Sequence, residues 1–405
     1  MTVGALKGLK VIEFSQMIMG PCTGLILADL GADVVKVEPV KGDRTRYLPG
    51  LAAGFFDTFS RNKRSIALDM KSEEGMDIVR KLVSDCDVVI ENFRPGMMAD
   101  LGLGYDDLRE FNPGLIYCSL KGFLPGPYEH RTALDEVVQM MGGLAYMTGL
   151  PGRPLRTGAS VNDIMGAMFG VIGIQNALLE RRRTGNGQQV QSSLFENTAF
   201  LMAPAMLAEV ITGEPATPFA ITERPWPAYD LFDLADGSKL FVGIVGDEQW
   251  RAFCQAFGFE AWLSDPDFAT NHLRQKARSR ILPAIREAFL SRDAADVAST
   301  VERIGLPFAP LRTPIDLLDD VHLNESGAMI PMQLQSGIAS KLPALPLILD
   351  GQRLTGTTPA PTVGEHSRDV LRALHFDEAA IEALLSSGKV AAPALAGQRT
   401  TEGAR

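Results

Sequence analysis

Cysteine, histidine and positive charge are all in short supply in this chain. Its 405 residues include four cysteines and five histidines. Cys22, Cys86, Cys118 and Cys254 form no Cys-x-x-Cys pair, and no histidine stands at ligand spacing from them or from another histidine. Neither a disulfide framework nor a metal centre is indicated, and four free, buried thiols suit a reducing cytoplasm. Lys and Arg number 39 against 49 Asp and Glu, a net charge of −10. That balance argues against a nucleic-acid partner or an anionic membrane surface, because both are held by clustered Lys and Arg. The amino terminus lacks a signal-peptide apolar core, and no apolar run of about 18 residues is apparent, so no membrane partner is expected. Three phosphate and nucleophile signatures are also missing: Gly-x-Gly-x-x-Gly, the P-loop pattern ending in Gly-Lys-Ser/Thr, and Gly-x-Ser-x-Gly. A dinucleotide dehydrogenase, a P-loop NTPase and an α/β-hydrolase lose their main support. No fixed-period repeat is visible, which excludes a solenoid.

What is present is an ordinary globular composition, 46% hydrophobic and 22% charged, with enough chain for two or three cores. The first third alternates short β-branched runs with amphipathic segments, the pattern of parallel strands joined by helices. Strands are predicted over 9–14, 33–37, 65–69, 88–91 and 115–120, and a first helix over 20–30. Ser72 opens a helix reaching Val83, with Met76, Val79, Leu82 and Val83 on one face. The pattern predicts an α/β fold: a doubly wound parallel sheet with ligands at the carboxyl ends of its strands.

A long helix over 164–182 carries Gly166, Ala167, Gly170 and Gly173, spaced to let another helix approach closely. A second helix over 194–211 leads to a proline-rich loop over 213–227 that reads as a linker. From Tyr229 a hairpin turning at Asp236-Gly237 begins, and helices over 249–257 and 281–290 complete a smaller α+β domain. Beyond Pro314 the chain reads as loop to Glu365, then one helix over 367–374. Residues 391–405 read as a disordered tail.

Several residue sets carry chemical potential on pattern alone. Lys36, the cluster Arg61-Asn62-Lys63-Arg64, Lys71, Arg94 and Lys121 recur at predicted strand ends, so they either converge on a phosphate or merely solvate the rim. Asp163, at the start of the glycine-rich helix, is either a cap or a carboxylate nucleophile aimed at an activated acyl group. His130 and His366 are either general bases or hydrogen-bonding loop residues. Trp226, between two prolines, stacks on a ligand or anchors the linker.

Taken together, the segments Gly31-Ala32-Asp33-Val34-Val35-Lys36-Val37-Glu38-Pro39, Asn62-Lys63-Arg64-Ser65-Ile66-Ala67-Leu68-Asp69, Glu91-Asn92-Phe93-Arg94-Pro95-Gly96, Arg183-Thr184-Gly185-Asn186-Gly187-Gln188 and Gly364-Glu365-His366 resemble the family III CoA-transferases. That group includes the formyl-CoA, carnitine and bile-acid CoA-transferases. The resemblance runs from Leu6 to His366. It implies a large CoA-binding domain built from both chain ends (1–212 and 320–390), a small α+β domain over 228–319, and an interlocked homodimer. Asp163 matches the family's catalytic aspartate. Ile18, Met19, Leu68 to Lys71, Asn92, Phe93, Arg94 and Lys121 match its CoA-binding positions, and Lys36 and Arg64 are added as phosphate-rim candidates.

The resemblance further implies CoA and acyl-CoA as substrates with no metal, a small carboxylic acid as acceptor, and an aspartyl mixed anhydride as intermediate. Backbone N–H groups at the start of the glycine-rich helix are expected to stabilise the oxyanion. The glycine run that serves the formyl and oxalate enzymes as a lid is replaced here by residues 220–227, which points away from formate and oxalate. Arg224 and Trp226 fall in that segment, and Arg224 is suited to a second carboxylate, hence a dicarboxylic acid. An arginine common in the family near position 100 is absent, which puts weight on Arg94. An α-methylacyl-CoA racemase of the same fold pairs a histidine with the aspartate; the matching position here is Leu134, before Asp135. A catalytically silent CoA-binding protein would need Asp163 lost.

Overall fold

The apolar runs near the amino terminus become a sheet covered on both faces. In the computed structural model, which describes residues 4–221, 226–354 and 356–394, β1 (Lys10–Phe14), β2 (Asp33–Glu38), β3 (Arg64–Leu68), β4 (Val88–Glu91) and β5 (Ile116–Lys121) bury nearly every residue. Such burial is what lets parallel strands read as continuous apolar runs. A sixth strand, β6 (Gln188–Ser193), is polar and was not expected; it pairs along its whole length with β5. The order is β3-β2-β1-β4-β5-β6, all parallel. The chain winds outward from β1 to β3, then returns to the other side of β1 for β4 to β6. This reversal opens a crevice between the carboxyl ends of β1 and β4, where open α/β sheets hold their ligands.

Helices cover both faces. α1 (Met19–Asp29) and α4 (Val161–Thr184) pack on one face through Leu27, Ala28, Val171, Ile174 and Ala177. On the other lies α2 (Glu73–Ser84), begun by Ser72, whose hydroxyl accepts the Gly75 N–H at 3.1 Å. Between β5 and α4 comes the short α3 (Asp135–Met141), and after β6 comes α5 (Leu194–Thr212). The small residues of α4 do pack: a Cβ on Gly173 would lie 2.4 Å from Val190 Cγ1, and one on Gly166 2.3 Å from Met19 Cε. Contrary to the expectation from sequence, α5 is long and apolar enough to cross a membrane by length and composition, with only 17% of that stretch buried.

The chain divides into two compact units, one of Met1–Ala220 with Val321–Arg405 and one of Ile221–Asp320. The second contains the antiparallel strands β7 (Ala228–Asp233), β8 (Lys239–Ile244) and β9 (Phe308–Pro310). Gly237 takes the positive φ, 80°, of the hairpin turn. Over these strands lie α6 (Asp247–Phe257), α7 (Arg278–Leu290) and α8 (Ala294–Arg303), around a core that includes Trp250, Phe253, Phe257 and Phe289.

The carboxyl-terminal segment is more ordered than its composition indicates. Met329–Gln333 and Ala339–Pro343 form an antiparallel hairpin, and two helices follow rather than one: α9 (Ser367–Ala373) and α10 (Glu378–Ser386). Val390–Ala391 then pairs antiparallel outside β3, so Ala391 is in the sheet and not in a tail; residues 395–405 lie outside the described residues. The Gly364-Glu365-His366 motif is a clasp on β3. Gly364 N–H donates to Ser65 Oγ at 2.9 Å, His366 N–H to Ser65 O at 3.0 Å, and Ser65 N–H to His366 Nδ1 at 3.2 Å.

Candidate active site

The crevice between β1 and β4 is laced across its mouth. After β1, Gln16 N–H donates to Asn92 Oδ1 at 3.0 Å and Asn92 Nδ2 donates back to Gln16 O at 2.8 Å, so Asn92 acts as a strand-like partner. Met17 N–H donates to Thr45 Oγ1 at 3.0 Å, and Met17 itself has φ of 66°. That left-handed conformation is rare outside glycine and marks a loop held in shape by its surroundings. The buried Ile18 and Met19 follow at the start of α1. Beyond β4, Phe93 N–H donates to Glu91 and its ring packs against the sheet core. Lys121, ending β5, donates from Nζ to Glu91 Oε2 and Phe93 O, both at 2.7 Å. Arg94 is exposed, and none of the described hydrogen bonds uses its guanidinium. Ile18, Met19, Asn92, Phe93, Arg94 and Lys121 are thus brought to one edge. Leu68, buried at the end of β3, and Lys71, exposed just after it, stand farther along that edge.

Two expected cations are elsewhere. Lys36 is fully buried within β2, its ammonium donating to Ser15 O at 2.6 Å and paired with Asp43 at 2.9 Å and Glu13 at 3.5 Å. Burial opposes its charge, but Glu13 and Asp43 outweigh burial and hold its pKa above the usual lysine range. Arg64 opens β3 rather than ending it, and its guanidinium is held by Asp33 at 2.8 and 2.5 Å on the opposite edge of the sheet. Arg61 and Lys63 are buried too. Arg61 pairs with Asp29 at 2.8 Å and Lys63 with Glu13 at 2.6 Å. Arg61 and Lys63 are thus internal ionic structure, and Arg64 is taken up by a partly exposed pair with Asp33, so each of the three cations already has a carboxylate partner.

Asp163 lies in the first turn of α4, and the cap there is supplied by another residue. The buried Asp135, first residue of α3, accepts through Oδ2 from the N–H groups of Asn162 at 2.8 Å and Asp163 at 3.2 Å. Its other oxygen accepts from Gln139 Nε2, while Gln139 Oε1 takes the Thr157 N–H at 2.8 Å. Val161 and Ile164 N–H groups donate to Ala159 O and Ser160 O. All four first-turn donors are therefore spent, and the expected oxyanion role for them does not hold. No described hydrogen bond uses the Asp163 carboxyl. Burial first, then the charges of Asp135 and Glu136, push its pKa up to about 7, against a lowering by Arg156. One turn on, Gly166 meets Met19, which ties the aspartate to the α1 end of the crevice. Neighbouring Asn162 is wholly buried, and its amide has no partner among the described residues.

Of the remaining candidates, His130 is exposed beside Glu129, and Leu134 is an exposed residue preceding α3. His366 serves the β3 clasp. Trp226 belongs to the second unit, its ring tilted against Tyr229 at 4.9 Å and its carbonyl accepting from Arg278, contacts that suit an anchor. Arg224 lies outside the described residues. All four cysteines are buried, and burial pushes the Cys22 and Cys254 thiols up to about 12, as for inert structural thiols. Sequence reasoning missed Asp135 and Gln139 as parts of the site; their i, i+4 spacing on a helix was the available signal.

A model of CoA-transferase family III matches residues 6–367. The succinate–glutarate CoA-transferase of Agrobacterium fabrum is 33% identical, over 92% of this chain and 96% of that protein. The acetyl-CoA:oxalate CoA-transferase of Acetobacter aceti is 35% identical, over 86% and 90%. Among solved structures, a CAIB/BAIF family protein from Brucella suis superposes with a TM-score of 0.81 at 32% identity, covering 91% of this chain and 99% of that one. A sheet wound outward from a β1–β4 crevice, an uncapped aspartate at its side and a family match over nearly the whole length lead to one assignment: the chain belongs to CoA-transferase family III.

Proposed function

We propose that this CoA-transferase moves CoA from an acyl-CoA to a carboxylic acid through a mixed anhydride on Asp163. The observation that carries the reading is the Asp163 carboxyl itself: partly buried, poor in solvation and not consumed by the helix cap that its position would predict. Ionised Asp163 attacks the donor thioester carbonyl; the C–S bond breaks, the thiolate of CoA departs and an anhydride forms. Thiolate attack on the aspartyl carbonyl releases the donor acid and leaves an aspartyl thioester. The acceptor carboxylate then attacks that thioester to form a second anhydride, and the thiolate attacks the acceptor's acyl carbon, freeing Asp163. Every intermediate keeps the activation of the original thioester, so neither metal nor nucleotide enters the balance.

CoA lies, in this reading, along the β1–β4 edge, with Ile18, Met19, Asn92, Phe93 and the Glu91-paired Lys121 shaping the crevice and Arg94 and Lys71 offering charge to its phosphates. The acceptor is a dicarboxylic acid, with Arg224 taking the distal carboxylate; the A. fabrum relative is named for two dicarboxylates. The working form is an interlocked homodimer in the cytoplasm. Support for a second copy comes from the apolar side chains left exposed on α4 and α5, among them Met168, Phe169, Ile172, Phe200, Leu207 and Val210, a patch of a kind that single soluble chains rarely expose. The racemase reading is disfavoured by Leu134, which has no proton to exchange.

The test incubates the protein with succinyl-CoA and a panel of mono- and dicarboxylic acids, following new thioesters by mass spectrometry. New dicarboxylyl-CoA is expected from wild type and none from Asp163→Ala. A full-rate Asp163→Ala would end the anhydride mechanism. Solvent deuterium entering the α-carbon without CoA exchange would move the assignment to the racemase.

A further inference from the structure

An acidic residue in the first turn of a helix is drawn toward the unpaired N–H groups there, and a carboxylate so engaged is a poor nucleophile. At the start of α4 that competition is settled by a second carboxylate. Asp135 comes from a different helix, is almost fully buried, and has both oxygens committed: Oδ2 to the Asn162 and Asp163 N–H groups, Oδ1 to Gln139. Gln139 is itself wholly buried and pinned through Oε1 to the Thr157 N–H and hydroxyl. The clamp therefore runs from α3, through the loop before α4, to the backbone of the reacting residue.

We propose that Asp135 is a positioning residue for Asp163: by filling the amino end of α4 it keeps the Asp163 carboxylate out of the cap and directed to the acyl carbon. The inference rests on Asp163 being the nucleophile. Without Asp135, the N–H groups of Asn162 and Asp163 would be left unpaired, a costly arrangement that the Asp163 carboxylate, in the same turn, could relieve. Charge works in the same direction. Among the described residues the ionisable groups facing Asp163 are Asp135 and Glu136 on α3 and Arg156 in the preceding loop, while α1 presents the Cys22 thiol, which is neutral. On α5, Glu196 is turned to Ser193 and the Leu124 N–H. The negative charge of Asp135 offsets the helix dipole that would otherwise acidify Asp163. A more basic carboxylate is the better nucleophile once ionised, the trend that also governs thiolates.

The experiment measures kcat/KM for CoA exchange from pH 5 to 9 in wild type, Asp135→Asn, Asp135→Ala and Asp163→Ala. Asp135→Asn keeps an oxygen for the two N–H groups and removes the charge. The acid limb of its profile is expected to move down by about one pH unit, with a plateau roughly tenfold lower. Asp135→Ala also frees the cap, and its plateau is expected to fall by about a hundredfold. If Asp135→Ala does not fold, Asp135→Asn carries the test alone. A purely structural Asp135 would lower activity and leave the acid limb in place, and that result overturns the proposal. Wild-type behaviour in Asp135→Asn overturns it as well. Activity in Asp163→Ala would instead remove the nucleophile reading beneath it, so the two failures are distinguishable.

Discussion

Replacing Asp163 by asparagine is expected to stabilise the protein while abolishing its chemistry. A free aspartate releases its proton near pH 3.8, whereas Asp163 in the folded chain holds it to about pH 7, because burial and the neighbouring Asp135 and Glu136 disfavour the charge. Since the folded value is the higher one, the folded state binds the proton more tightly than the unfolded state between those two pH values. Stability is therefore lost as pH rises through that window, and the loss is complete above about pH 7. Each pKa unit corresponds to about 1.4 kcal/mol, so three units set a ceiling of about 4 kcal/mol. Asp163 keeps some contact with solvent, which lowers the expectation to roughly 2–4 kcal/mol. Asparagine fills the same space without the charge and escapes the penalty. Urea unfolding at fixed protein concentration, at pH 4.5, 6 and 8, should find the two proteins similar at the lowest pH and Asp163→Asn increasingly the more stable toward pH 8. A stability difference that does not change with pH, or a wild type more stable at pH 8, would refute the reasoning. The gain in stability on losing the reacting group is the trade expected where a strained or desolvated site is kept for function.

Two further outcomes follow from the sheet. Glu13→Gln leaves the buried ammonium groups of Lys36 and Lys63 without their shared carboxylate and should lower stability by about 3–5 kcal/mol at pH 7. Burial already pulls Lys63 down to about 8 and loss of Glu13 would pull it lower still, so the share of the deficit due to Lys63 should shrink as pH rises toward 8, above which Lys63 is neutral in both folded proteins; an unchanged urea midpoint would contradict the buried pairing. Arg94→Ala removes an exposed guanidinium at the crevice and should raise KM for acyl-CoA about tenfold with kcat and melting temperature little changed. A fall in kcat at constant KM would place CoA elsewhere.

How far the sequence is legible depends on whether a residue's partner is nearby in the chain. The strands β1 to β5 announce themselves because burial on both faces requires apolar runs, and the helix begun by Ser72 carries its own cap. β6, with the sequence Gln-Gln-Val-Gln-Ser-Ser, does not. It is a sheet edge whose position comes from the backbone of β5, and a polar sequence tolerates that role. The carboxyl-terminal clasp fails for the same reason, since Ser65 and His366 meet across 301 positions of sequence. Among the cations, proximity to a strand did not distinguish the residue that begins a strand from the one that ends it. Arg64 begins β3 and meets Asp33; Lys121 ends β5 and reaches the crevice. Lys36 lies mid-strand, where the alternation of faces turns it inward onto Asp43 and Glu13.

The site itself shows the limit most clearly. An aspartate in the first turn of a helix has two physical outcomes, cap or free carboxylate, and no local feature of Asn162-Asp163-Ile164 chooses between them. The choice is made 27 residues earlier, by Asp135, whose own placement depends on Gln139 one helical turn along. That pair was within reach of pattern reading as an i, i+4 Asp–Gln couple, but it becomes informative only once α3 is known to begin against the start of α4. The net charge of −10 carries a related lesson. It weighs against a broad polyanionic partner, yet many of the chain's cations in this region are consumed in ion pairs, and the few left at the crevice, Arg94 and Lys71, are the ones that count for a ligand carrying phosphates. Counting charges identifies how many are available; only the pairing shows which are free.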